Sequence, residues 1–173
     1  GYIAPIKSIG HGATTEKDME SDEEVWRTIL DLTQEIGYKL KKNHLAARGI
    51  QINVRDKNLF GCQYQMKLEY MTQSTLFLAQ AAKLLFFKKH RFTTPLRSIT
   101  VRAIDLVPED TPQQLNLFAG YDKQDDIVRL ESAVDRLRER FGNKIVVPAS
   151  LMEKACRPTL STDFPKMPAP MYH

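Results

Sequence analysis

Two runs of strict alternation constrain this chain more than any other feature. In 48–56, Ile50, Ile52 and Val54 fall on one side and Gln51, Asn53 and Arg55 on the other. In 62–70, Tyr64, Met66, Leu68 and Tyr70 alternate with Gln63, Gln65, Lys67 and Glu69. A period of two marks a half-buried strand, because successive side chains leave opposite faces of the backbone. Lys57-Asn58 between the runs supports a turn. The two runs are therefore read as strands of a sheet that buries one face and opens a polar one.

Helical patterns flank them. Ser21-Asp22-Glu23-Glu24 is a capping box, and its acids suit the positive end of a helix. Val25, Ile29, Leu32, Ile36 and Leu40 follow at helical spacing, which predicts a helix over about 22–43 ending in Lys39, Lys41 and Lys42. Thr72 to Ser74 can start a second helix running to about His90, with Leu76, Leu78, Ala79, Ala82, Leu85 and Phe86. Residues 5–16 alternate weakly and read as extended, with Gly10 and Gly12 allowing close backbone approach. A fourth strand covers 96–104, with Leu96, Ile99, Val101 and Ala103 as its apolar set. The order β-α-β-β-α-β predicts an α+β fold of the split βαβ type, a four-stranded sheet with two helices on one face.

Residues 1–107 form this domain and 108–120 a Pro- and Asp-rich connector. A helical extension (121–151) and an irregular Pro-rich tail (152–173) complete the chain. In the extension, Ile127, Leu130, Val134, Leu137 and Phe141 recur at helical spacing over about 122–141, and Gly142 stops the helix. Such a stripe packs on its own domain as a rule; pairing with another copy to give a homodimer is the alternative. The connector holds Gln114-Leu115-Asn116-Leu117-Phe118. Apolar side chains in a linker suit either a strand tucked back on the domain or a peptide that docks in a partner's groove.

Charge is unevenly spread. Residues 16–35 carry eight acids against two basic residues, whereas 36–107 carry thirteen Lys and Arg against three acids. A stretch this basic suggests a polyanion, most simply nucleic acid, over a merely solvated face. The open sheet face would carry Gln51, Asn53, Arg55, Gln63, Gln65, Lys67 and, by position, Arg97 or Arg102. It lacks the aromatics on which bases stack, so contact would be with phosphate and insensitive to sequence.

Catalytic chemistry is not legible. His11 between two glycines has no orienting partner, and no Gly-rich phosphate loop or metal-ligand spacing occurs. No cofactor is expected in this chain. Cys62 and Cys156 stand far apart and outside any CxxC pair, which fits free thiols in a reducing cytoplasm. No run of about 18 apolar residues occurs, so no membrane span is expected. The chain opens with Gly1 rather than Met, the expectation being a piece of a longer protein.

Three segments, in order, resemble a known family. Lys7-Ser8-Ile9-Gly10-His11-Gly12-Ala13-Thr14-Thr15 resembles the opening of the C-terminal domain of Y-family translesion DNA polymerases, the DinB and UmuC group. Arg97-Ser98-Ile99-Thr100-Val101-Arg102-Ala103 with Leu106 resembles that domain's last strand, and Gln114–Phe118 the sliding-clamp-binding peptide that follows it. The resemblance implies a little finger domain gripping template–primer DNA in lesion repair. It implies phosphate contacts from Lys7, Ser8, Gly10, His11 and Thr14, and from Arg97, Ser98 and Arg102, with Ser98 a departure because some relatives are basic there. Arg55 and Lys67 join them from the basic face alone, and Gln114, Leu115, Leu117 and Phe118 would bind the clamp. It places the polymerase's magnesium and its carboxylates in catalytic domains outside this chain, which by itself is expected to be inactive. A ferredoxin-like interaction domain that binds no DNA is the alternative reading.

Overall fold

The computed structural model describes residues 5–91, 93–112, 121–142 and 146. The connector peptide 114–118, residues 143–145 and 147–151 of the extension, and the Pro-rich tail lie outside them.

Alternation becomes sheet as the sequence predicts. Strands β1 (Ser8–Met19), β2 (Leu45–Asp56), β3 (Gly61–Thr72) and β4 (Leu96–Pro108) form one antiparallel sheet in the order β1-β4-β2-β3. β4 thus lies between β1 and β2, and β2 between β3 and β4, which is the split βαβ arrangement twice over. Helices α1 (Asp22–Lys42) and α2 (Thr75–Lys89) cross one face, and α3 (Tyr121–Phe141) follows the connector. β1 begins and ends three residues later than the extended run 5–16, and β4 continues past 104 to Pro108.

Both helix starts follow from their caps. The Glu24 N–H donates to Ser21 Oγ at 3.2 Å and the Ser21 N–H to Glu24 Oε2 at 3.1 Å, so two otherwise unpaired amides are satisfied reciprocally. Ser74 caps α2 by accepting from the Phe77 N–H at 3.3 Å. Lys39, Lys41 and Lys42 end α1, where positive charge suits the helix dipole.

The core sits between sheet and helices. Ile50, Ile52, Val54, Ile99, Val101 and Ala103 project from the two central strands onto Val25, Ile29, Leu32 and Ile36 of α1 and Leu78, Leu85 and Phe86 of α2, all buried. Burying a side chain of this size contributes about 1.5–3 kcal/mol.

The third helix departs from expectation. Its stripe does not pack wholly on the domain: Leu130, Leu137 and Phe141 are 66%, 44% and 59% exposed, while Ile127 and Val134 are half-buried. The adjoining edge carries Glu131 and Asp135, and these reach Lys41 on α1 and the start of α2. Unpaired helix-terminal amides and a lysine offer those carboxylates more than the domain's surface offers the leucines.

Two half-buried histidines make the fold acid-sensitive. Burial holds the His90 imidazole below its ordinary value of 6.5, with Asp56 opposing, and burial followed by Lys39 does the same for His11. A group whose folded pKa is depressed stabilises above its unfolded value and loses that contribution as pH falls through its folded pKa. The melting temperature should be flat from pH 8 to about 6.5 and then fall by a few degrees on further acidification. His90→Asn should flatten the decline. A melting temperature that rises between pH 6.5 and 5 would contradict this.

Candidate nucleic-acid interface

Registers set the open face in four rows. Across the sheet in the order β1, β4, β2, β3, these are Thr14, Ser98, Arg55 and Gly61; Gly12, Thr100, Asn53 and Gln63; Gly10, Arg102, Gln51 and Gln65; and Ser8, Ile104, Gly49 and Lys67. No carboxylate and no aromatic ring occupies a register position in any row, although Asp105 Oδ2 would lie 3.2 Å from a Cβ on Gly49 in the last one. Arg55, Lys67 and Arg102 are exposed, so three cations project from a surface of amides, hydroxyls and backbone.

Two glycines shape the β1 edge. A Cβ on Gly12 would lie 2.5 Å from Thr100 Oγ1, and one on Gly10 would lie 3.1 Å from Arg102 Nε. Their absence leaves a shallow groove of about 460 Å³ lined by Ser8, Gly10, His11, Gly12, Thr100 and Arg102. The Arg102 guanidinium lies against backbone there, beside two hydroxyls, a set of groups suited to a phosphate oxygen. Gly12→Val would drive a branched side chain into Thr100. It should destabilise the domain by about 1–3 kcal/mol, as overpacking does. Gly61→Ala, whose Cβ would meet only Val54 O at 3.7 Å, should leave the denaturation midpoint near wild type. Equal midpoints for the two variants would refute the steric argument.

The expected site residues divide by position. Ser8, Gly10, Thr14, Arg55, Lys67, Ser98 and Arg102 share the open face. His11 stands opposite Val101 on the helix side, and its titration feels Lys39, Glu35 and Asp31 of α1. Only its neighbourhood in the groove, not a row position, brings it to the face. Parity decides between the two arginines of β4. Arg102 is in a row, whereas Arg97 lies past a register shift and its Nε donates to Asp18 Oδ1 at 3.1 Å. Lys7 is exposed just before β1. Gln114, Leu115, Leu117 and Phe118 lie outside the described residues. Gly12 and Thr100 were missed as site residues, although alternation from Gly10 and Arg102 puts both on the open face.

Among the described residues, no group of three or more His, Cys, Asp or Glu could hold a metal ion, and no helix is long and apolar enough to cross a membrane.

Residues 6–117 match the model of the impB/mucB/samB family C-terminal domain. The chain is 36% identical over 138 residues to DNA polymerase IV of Acetivibrio thermocellus, covering 80% of this chain and 35% of that protein. It is 30% identical over 145 residues to DNA polymerase IV 2 of Halalkalibacterium halodurans, covering 81% and 34%. The chain thus spans about a third of the length of these relatives. A solved complex of the beta-clamp processivity factor and the little finger domain of PolIV matches at 17% identity with a TM-score of 0.49, covering 64% of this chain and 98% of that one. The chain belongs to the impB/mucB/samB family and carries its C-terminal domain over residues 6–117.

Proposed function

We propose that this domain grips template–primer DNA for an error-prone polymerase of lesion repair in the cytoplasm, and that Gln114–Phe118 docks the polymerase to a sliding clamp. The four rows, with three exposed cations and no carboxylate at any register position, carry the DNA reading. Arg55, Lys67 and Arg102 supply charge, Ser8, Thr14, Ser98 and Thr100 supply hydroxyls, and the Gly10–Gly12 backbone admits a phosphate closely. Lys7, exposed at the head of β1, extends the same edge. His11 contributes its main chain and Arg97 a charge shared with Asp18. Phosphate contacts position a duplex without reading its sequence. Nucleotide transfer itself, with its magnesium, belongs to catalytic domains outside this chain.

Fluorescence anisotropy of a labelled duplex titrated with the domain tests the DNA reading. Log affinity should fall linearly with log salt, by about 0.9 per phosphate contacted, and two duplexes of unrelated sequence should bind alike. A flat salt response would reject it.

A second reading rests on the exposure of Leu130, Leu137 and Phe141, which suits a seam between two copies of α3. Light scattering on Leu130→Asp and Leu137→Asp variants tests this: a folded variant with unchanged mass removes the dimer.

A further inference from the structure

The turn between β2 and β3 exposes two large apolar side chains that the fold does not use. Phe60 is 74% exposed, more than any other large apolar residue among the described ones, and Leu59 beside it is 63% exposed. Leu59 also has φ 70°, in the left-handed region that a leucine enters only at a cost. Asn or Gly would make the same turn without that strain, so the needs of the turn do not account for a leucine there.

The turn is nevertheless built firmly. Asp56 Oδ1 accepts from the Asn58 N–H at 2.8 Å and the Phe60 N–H at 2.9 Å. The Asp56 N–H donates to the Phe60 carbonyl, the Leu59 N–H to the Asp56 carbonyl and the Lys57 N–H to the Pro95 carbonyl, each at 3.0 Å. These bonds fix Leu59 and Phe60 before any partner arrives, which lowers the ordering cost of binding one.

Charge selects the occupant. Arg55 stands opposite Gly61 in the row that ends the open face, and Lys57 follows it into the turn. Both are exposed, and neither pairs with a carboxylate among the described residues. The turn's own carboxylate, Asp56, is engaged by the two amides. An apolar pair among cations fits a ligand that is flat and apolar in one part and anionic in another. An unpaired nucleotide is such a ligand, because its base stacks on an aromatic ring and its phosphate pairs with a cation. A base inside a duplex has no free face to offer.

We infer that the β2–β3 turn is a stacking site for an unpaired base of single-stranded DNA adjoining the duplex. Phe60 supplies the ring, Leu59 an apolar flank, and Arg55 and Lys57 the charge for the flanking phosphates. The inference rests on the duplex-gripping reading above and adds what the sheet face lacks. The rows hold phosphate and carry no ring; the turn, just past the last row, takes a base that has left the duplex. The domain therefore prefers a junction of double and single strand to duplex alone.

Fluorescence anisotropy tests this with three DNAs: a blunt duplex, the same duplex with a short single-stranded overhang, and that overhang made abasic, which keeps its charge. Wild type should bind the base-bearing overhang about tenfold more tightly than the abasic one, as one stacked base contributes. Phe60→Ala should abolish that preference and leave blunt-duplex affinity unchanged, whereas Phe60→Trp should keep it. Leu59→Asn, which suits the backbone, should melt a few degrees higher and show a weaker preference. Equal binding of the base-bearing and abasic overhangs by wild type overturns the stacking site while leaving the duplex grip standing. Equal losses on all three DNAs for Phe60→Ala, at an unchanged melting temperature, make the turn part of the duplex grip and overturn the base assignment. A melting temperature that does not rise in Leu59→Asn overturns the claim that the fold has no use for this leucine. No binding of any DNA by wild type overturns the duplex-gripping reading and the inference with it.

Discussion

Replacing Leu117 and Phe118 with alanine is expected to weaken capture by a bacterial sliding clamp by at least about 100-fold. Burial of a Leu or Phe side chain contributes roughly 1.5–3 kcal/mol, and 1.4 kcal/mol is tenfold in affinity. Two such anchors account for about 3–6 kcal/mol if both fill pockets in the partner, as the few dominant residues of an interface do. Gln114→Ala removes a hydrogen bond rather than an anchor, so its effect should be nearer tenfold. Calorimetric titration of wild type and variants against the clamp measures all three. Equal affinity for wild type and the double variant would show that the peptide is not the docking element. A paired DNA titration should show no change in either variant, which separates a docking defect from a folding one.

How much of this was legible beforehand follows from where side chains meet backbone rules. The sheet was readable because Ile50, Ile52 and Val54 alternate against Gln51, Asn53 and Arg55, and a one-residue slip would have buried the polar set. The first helix announced itself through Ser21 and Glu24. The strand order was not readable, since periodicity gives a strand its face but not its neighbour; placing β4 between β1 and β2 takes the assembled ladder. Arg97 and Arg102 could not be separated in sequence because the register shift near Thr14 and Met19 breaks parity at the start of β4. The seating of α3 was hidden for a different reason. Its helical periodicity is carried by Leu130, Leu137 and Phe141, whereas nothing in the spacing of Glu131 and Asp135 marks them as partners of another element. Only the fold shows that the unpaired amides of Thr75 and Leu76 and the Lys41 ammonium wait for them.

The largest effect on DNA is expected from Arg55→Ala/Lys67→Ala/Arg102→Ala. These are the exposed cations of the four rows, spread over three strands, so their removal strips the face of charge while leaving the buried residues untouched. Each phosphate neutralised releases counterions, and at about 0.1 M salt one contact is worth roughly tenfold in affinity. Losing three contacts should therefore weaken duplex binding about a thousandfold and flatten the salt slope by about 2.7. Arg97→Ala should do less than any one of them, because Asp18 already holds its guanidinium and it stands outside the rows. Gln51→Ala should lower affinity modestly with the slope unchanged, since an amide displaces no counterion. The slope matters more than the affinity here. A misfolded variant also binds weakly, but a folded domain whose slope drops with each cation removed is losing phosphate contacts one at a time, and a slope that stays put would move the duplex off this face altogether.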